Sequence, residues 1–226
     1  MARRQARHIL VIDIGGGHVK FRVSNRRSVA QFPSGPSLTP RQMVKQVLKR
    51  AQGWRYEGVT VGFPGMVIDG CIVCEPANLS QGWIGFDFAK AFGRPTQIMN
   101  DAVMQALGSY TGGRMLFLGF GTGLGAVLIA HSKIYPMELA HLPFTKRGLI
   151  QNYVGDEARR RLGGKRWSMN AKNIIKQLSR ALNVHSVVVG GGNACRLGRL
   201  SRSVRRGDND LAFVGGLRLW QGNWEA

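Results

Sequence analysis

Apolar residues in this chain come in short runs, most of which stop at glycine. "HILVIDI" (8–14) and "HVKFRVS" (18–24) read as two strands joined by the glycine turn Gly15–Gly17, a hairpin of unusual width. "TPRQMVKQVLKRA" opens on Thr39 and Pro40 and then sets its apolar residues at helical spacing, which predicts a helix. "GVTVGFPGMV" reads as a buried strand running into a Pro-Gly turn, and "RPTQIM" as a further short strand. "NDAVMQALGSY" has helical periodicity with Asp101 in its first turn, where a carboxylate suits the helix dipole.

The second half follows the same plan. "RMLFLGF" and "GAVLIA" predict a strand pair joined by "GTGLG", followed by helices over about Leu149–Leu162 and Asn170–Leu182. "SVVVGGG" predicts a strand turning straight into "NACRLGRL", and "LAFVGGLRLW" a last helix with a glycine pair. Hairpin, glycine turn, helices, then a strand ending in glycine: repeated twice, this predicts an α/β chain in two lobes.

Composition adds limits to this pattern. With 226 residues, 44% of them hydrophobic, there is ample material for a core. No apolar run reaches the roughly 20 residues of a membrane span. The basic start "MARRQARHILVIDI" has too short an apolar stretch for a signal peptide, so it reads as a first strand and the expected location is cytoplasmic. Cys71 and Cys74 form a CxxC with no second ligand pair, and Cys195 stands alone. They read as ordinary cysteines, with no structural zinc.

Charge changes the picture most. Thirty-two basic residues face 12 acidic ones, a formal +20. Such a field attracts polyanions, whether nucleic acid, anionic lipid or a phosphate polymer, although a merely arginine-rich surface would give the same count. No nucleic-acid motif accompanies the charge, so nucleic acid is not the expected partner. With so few acids, each carboxylate inside an apolar or glycine-rich motif stands out.

Glycine turns present several backbone N–H groups to one point and let a phosphate come close. Gly15–Gly17 and Gly121–Gly125 are two such turns, and Gly190–Gly192 ends a strand before an expected helix N-terminus. Phosphoryl transfer needs positioning, charge neutralisation and a base for the attacking hydroxyl. Asp101, next to Asn100 where strand gives way to helix, is a candidate base or simply a helix-start acid. Glu138 and His141 in "PMELAHLPF" form a second polar pair in an apolar context, either ligand contacts or structural residues.

These motifs carry a resemblance. "DIGGGHVK", "GFPGMV", "NLSQGWIGFDFAKAF", "NDAVMQALG", "LGFGTGLGAVLI" and "ELAH" follow in order the motifs of the ROK family of sugar kinases. "YVGDEARRRLGGKRW", "VVVGGGNACRL" and "GDNDLAFVGGLRLW" resemble its polyphosphate glucokinase branch. The resemblance implies an actin-like (ribonuclease H-like) α/β two-lobe fold with a ligand cleft between the lobes. Residues 1–100 would form the small N-terminal lobe, with a C-terminal helix at about 209–224 packing back on it, and 101–208 the larger C-terminal lobe.

The implied activity is transfer of a phosphoryl group from polyphosphate or ATP to the 6-hydroxyl of glucose or a related hexose, with Mg²⁺. Asp101 matches the catalytic base, and Asn78, Asn100, Glu138, His141 and, more loosely, Glu157 match sugar contacts. Asp13 matches the acid that organises the Mg²⁺ and the phosphates, holding the metal indirectly. Gly15, Gly16, Gly17 and Lys20 match the first phosphate motif, and Gly121, Thr122, Gly123 and Gly125 the second. Gly191, Gly192 and Asn193 fall where ATP-using relatives hold adenosine. Homodimerisation is a further expectation of the resemblance.

The sequence also departs from the family. Gly17 replaces a usual Thr, Ala140 stands where Gly is common, and the family's zinc cluster is absent, as it is in the polyphosphate branch. No helix-turn-helix precedes the first strand, which removes the repressor reading. A second expectation concerns the donor. Arg196, Arg199, Arg202, Arg205 and Arg206 recur at near-regular spacing, so a helix there would align several as a polyphosphate path, principally Arg196, Arg199 and Arg202. Arg159, Arg160, Arg161, Lys165 and Arg166 form another basic cluster. The alternatives are an ATP-dependent ROK hexokinase and a non-catalytic sugar or polyanion binder.

Overall fold

A computed structural model describes residues 8–146, 148–222 and 224. The chain runs β1 (Ile9–Ile14), β2 (His18–Val23), β3 (Ala30–Pro33), α1 (Pro40–Arg50), β4 (Gly58–Phe63), β5 (Val67–Ile68), β6 (Cys71–Ile72), α2 (Phe88–Phe92), β7 (Thr96–Asn100) and α3 (Asp101–Ser109). It continues β8 (Met115–Phe120), β9 (Leu124–Ala130), β10 (Lys133–Met137), β11 (Pro143–Thr145), β12 (Gly148–Leu149), α4 (Gln151–Val154), α5 (Asp156–Leu162), α6 (Gly164–Ala181), β13 (Ser186–Gly190), β14 (Val204–Arg206) and α7 (Leu211–Gln221).

The chain divides into two compact units. The first runs to Gly108 and is rejoined from Ala212; the second runs from Ser109 to Leu211. Each is built on a five-stranded mixed sheet, ordered β3-β2-β1-β4-β7 in the first and β10-β9-β8-β13-β14 in the second. In both, a meander of three antiparallel strands is extended by two parallel ones. The central strands β1, β4 and β8 are buried on both faces, so they read as continuous apolar runs: every residue of β4 and all but one of β1 and β8 are buried.

In the first unit α1 starts on a capping box, in which Thr39 and Gln42 satisfy each other's backbone N–H groups. It buries Met43, Val44 and Val47 in a core shared with β1, β2, β4 and Trp83. The glycine pair of α7 explains its approach. A Cβ on Gly215 would lie 1.8 Å from the Met104 carbonyl oxygen of α3, and one on Gly216 would lie 2.4 Å from Val11 of β1. Thr60 ties the helix down, donating to the Gly216 carbonyl at 2.9 Å and accepting from Trp220 Nε1 at 2.9 Å.

Arg218 reaches the carbonyls of Leu107 and Gly108 at the end of α3. These contacts place most of α3 in the first unit, whereas the sequence-based boundary begins the second lobe at Asp101.

In the second unit the expected helix over 149–162 is broken at Gly155. The backbone leaves the helix there so that Asp156 N–H can reach the Thr122 carbonyl, 3.1 Å away, and a Cβ on Gly155 would crowd that same oxygen at 2.8 Å. The next helix begins at Gly164, six residues before the expected Asn170. Trp167 fixes it, donating to the Val154 carbonyl at 2.8 Å and meeting Phe120 edge-on. Among the described residues no helix is long and apolar enough to cross a membrane.

Candidate active site

The first unit brings two carboxylates together. Asp13 is the penultimate residue of β1, cross-strand from Lys20 and level with Gly62 of β4. Burial pushes its carboxyl up to about 6, partly offset by the Lys20 charge. Asp101 opens α3 directly after β7. Burial first, and the Asp13 charge second, push its carboxyl up to about 7, while the Ala102 N–H at 2.8 Å pulls the other way. Two carboxylates held this way favour a state in which one keeps a proton or a cation neutralises the pair.

The turn that follows Asp13 is tight. The Gly15 N–H donates to the His18 carbonyl at 3.0 Å, and Ser34 closes it from the β3 side, its hydroxyl on Gly15 O at 2.6 Å and its N–H on Gly17 O at 3.0 Å. Gly16 and Gly17 are exposed, with open space beyond each Cα. The expected unusual width is absent, since β1 and β2 stay paired as far as Ile14 and Val19.

Asn100 is already engaged. Its Oδ1 accepts from the N–H groups of Ala102 and Val103 and so caps α3, while its Nδ2 donates to the Gly65 carbonyl at 2.9 Å. It therefore fixes the start of the Asp101 helix. Asn78 is exposed on the loop between β6 and α2. That loop is closed by Glu75, whose carboxylate accepts from the N–H groups of Gly82, Trp83 and Ile84, and it is anchored by buried Leu79 and Trp83. Sequence reasoning did not single out Glu75, although an acid in so acid-poor a chain was the available signal. Cys71 and Cys74 are exposed, unbridged thiols on the neighbouring hairpin.

In the second unit the β8–β9 turn comprises Gly121, Thr122 and Gly123, closed by Gly121 N–H on Gly123 O at 3.0 Å. Gly125 lies outside it, in β9 and paired with Gly119, so the turn is shorter than the sequence suggested. The turn opens on a polar pocket of about 240 Å³ that it shares with Gln151, Asn152, Glu157 and Arg161.

Gly191 holds a positive φ of 82°, and a Cβ there would strike the Phe120 carbonyl oxygen at 2.4 Å. Asn193 then knots the two turns, its N–H on Phe120 O at 2.9 Å and its Nδ2 facing Gly121 O and Asp156 Oδ1. Asp156, also missed in the sequence, is the hub. Arg159 first, then Asn193, hold its carboxyl below the usual range, and Arg160 adds a second ion pair at 2.7 Å.

After Asn193 the expected helix is only a 3₁₀ turn, Ala194–Leu197, ended by Gly198 at φ 66°. The chain then extends into β14, so Arg196, Arg199 and Arg202 are exposed but share no helix face. Arg206 turns back onto the carbonyls of Ala194 and Gly198, and Arg205 onto that of Ser109. Glu138 and His141 are exposed and flank buried Leu139 and Ala140 in a 3₁₀ turn after β10.

No family model matches the chain. It is 28% identical to the polyphosphate glucokinase of Mycobacterium tuberculosis, over 60% of this chain and 58% of that protein. With the polyphosphate glucokinase of Mycobacterium leprae the identity is 25%, over 80% of this chain and 62% of that protein. The chain thus spans about three fifths of the length of the curated relatives it matches.

Among solved structures, the inorganic polyphosphate/ATP-glucomannokinase of Arthrobacter sp. strain KM superposes with a TM-score of 0.80 at 22% identity, covering 95% of this chain and 98% of that one. A ROK family glucokinase from Streptomyces griseus, in complex with glucose and AMPPNP, gives 0.75 at 17% identity, covering 95% and 100%. The fold is that of the ROK sugar kinases. Within this ROK fold each sheet ends in a glycine turn, the first beside the carboxylates and the second beside the Asn193–Asp156 knot.

Proposed function

We propose that the chain is a glucokinase that moves a phosphoryl group from inorganic polyphosphate, and also from ATP, to the 6-hydroxyl of glucose. The observation that carries this reading is the pairing of Asp101 with Asp13 beside an open glycine turn, in a chain similar to polyphosphate glucokinases. Asp101, raised to about 7, is poised to accept a proton near neutral pH. The sugar hydroxyl oxygen attacks the terminal phosphorus of the donor as its proton passes to Asp101 Oδ. The bond from that phosphorus to the bridging oxygen breaks, and a polyphosphate one unit shorter, or ADP, departs.

The N–H groups of Gly16 and Gly17, and those of Thr122 and Gly123, are assigned to the donor phosphates, with Lys20 adding charge. Asn78, Glu138, His141 and Glu157 are assigned to the hexose, with Asn100 positioning Asp101 through the cap of α3. A Mg²⁺ ion suits the hard carboxylate oxygen of Asp13, beside the turn assigned to the donor phosphates. Such an ion neutralises charge on the donor phosphates.

The test is formation of glucose 6-phosphate with polyphosphate or ATP as sole donor, by the wild-type chain and by Asp101→Asn. Turnover in the first and near-complete loss in the second are expected. No product from either donor with any hexose would overturn the reading in favour of a sugar or polyanion binder.

A further inference from the structure

The strongest unassigned feature of the second unit is a groove of about 390 Å³ between α6 and residues 199–204. We propose that this groove holds the distal phosphates of an inorganic polyphosphate chain, remote from the phosphoryl group transferred. The inference rests on polyphosphate being the donor, as proposed above.

Lys172, Lys176 and Arg180 of α6 line one wall, at the i, i+4 and i+8 spacing that puts them on one helix face. Arg199 faces them from the other wall, with the hydroxyls of Ser201 and Ser203. Ile175, Leu200 and Val204 supply apolar surface along which lysine and arginine stems can lie while their charges stay at the rim. No carboxylate is among the lining residues, so four cations crowd one groove with no anion of the protein to offset them. Like charges so placed repel, and a multivalent anion relieves this.

Two observations select polyphosphate among polyanions. The lining contains no aromatic side chain, the usual platform for nucleic-acid bases, but it does offer hydroxyls and cations that suit phosphate oxygens. The segment that forms one wall of the groove is also tethered to the second glycine turn. Asn193 is bound to Phe120 and Gly121 of the β8–β9 turn, the chain then makes the Ala194–Leu197 turn, and Gly198 redirects it into Arg199. Ser168 of α6 pins that connection, donating to the Leu197 carbonyl at 2.9 Å. The arginine path expected from sequence is thereby redrawn: Arg199 lines the groove, Arg196 and Arg202 are not among its lining residues, and three cations come from α6.

The test uses the full chain carrying Lys176→Gln and Arg180→Gln, both exposed in the wild type. The KM for long-chain polyphosphate should rise roughly tenfold, because two charge-assisted contacts are lost. The KM for tripolyphosphate and for ATP, which carry no distal phosphates, should stay within about twofold. The salt dependence of long-chain affinity should also flatten, by roughly 0.7 per cation removed if polyphosphate behaves as a single-stranded polyanion.

An equal rise for tripolyphosphate, or no rise for the long chain, would overturn the proposal. Equilibrium titration with long-chain polyphosphate separates the two readings. Binding weakened by the variant in a chain that turns over no donor supports the groove while the proposed activity falls. A single-stranded RNA oligomer whose binding weakens in the variant, while polyphosphate binding does not, would reassign the groove to nucleic acid.

Discussion

The two sheets share strand order yet differ at the same address. Asp13 in β1 and Gly119 in β8 are each the penultimate residue of the first strand, and each lies level with a glycine of the adjoining parallel strand, Gly62 or Gly190. Across the hairpin Asp13 faces Lys20, while Gly119 faces Gly125. The last strand repeats the contrast: β7 hands over to Asn100 and Asp101, whereas β14 ends in Arg205 and Arg206. One topology thus carries acids in the first unit and bare backbone with cations in the second. The framework supplies the turns, and a few side chains decide which sheet carries carboxylates at its strand ends and which carries cations.

Removing the acid is the largest perturbation. Asp101→Asn should lower kcat by roughly 10²- to 10⁴-fold with little change in the KM for glucose. The wild-type kcat/KM should rise with pH through an inflection near 7, where the Asp101 carboxyl loses its proton. Stability should run the other way. The folded-state pKa lies above the ordinary 3.8, so the native chain binds the extra proton and is favoured at low pH, losing that margin as pH climbs through about 7. Thermal melts of Asp101→Asn should therefore exceed those of the wild type at pH 8 and converge with them near pH 4. An Asn variant that is inactive and also less stable at pH 8 would mean that the residue acts through the fold.

Glycines sharpen the contrast between jammed and open backbone. Gly215→Ala places a methyl 1.8 Å from a carbonyl oxygen, and Gly191→Ala places one 2.4 Å from another at positive φ. Each should cost about 1–3 kcal/mol or more, a fall of several degrees in Tm. Gly16→Ala meets nothing within 4 Å and should leave Tm unchanged while weakening donor binding. A comparable Tm loss at Gly16 would show that its turn is packed rather than open.

What could be read from sequence follows from where periodicity is strong. The central strands β1, β4 and β8, and α1, were legible because burial on both faces, or on one helical stripe, leaves long apolar signatures. The edge strands β3 and β10 were not: "AQFP" and "KIYPM" are short and carry Pro33 and Pro136, which a sheet tolerates at its edge. The early start of α6 was missed because Gly163 and Gly164 read as a break, while Trp167 provides the tertiary hold that overrides it. At the site, Asp13 and Asp101 stood out as acids in apolar runs. Asn193 showed as part of a motif, but its knot to Asp156 joins residues 37 positions apart, and no local pattern announces that.

The smallest expected effect concerns Gly17, which stands where the motif of the ROK family that the sequence resembles usually has Thr. Gly17 has no positive φ and no atom within 4 Å of where a Cβ would stand, so the backbone does not demand glycine there. A Thr would fit without displacing a neighbour and would add a hydroxyl beside the exposed N–H groups of the turn. Gly17→Thr should therefore leave Tm within about a degree and lower the KM for the phosphoryl donor severalfold, in line with about 0.5–1.5 kcal/mol for one added hydrogen bond. The gain should be alike for ATP and polyphosphate, because the proposed function sets the turn against phosphates common to both. A KM that worsens instead would mean that the first turn works by close backbone approach alone, the role proposed for the β8–β9 turn, despite the different acids of the two sheets.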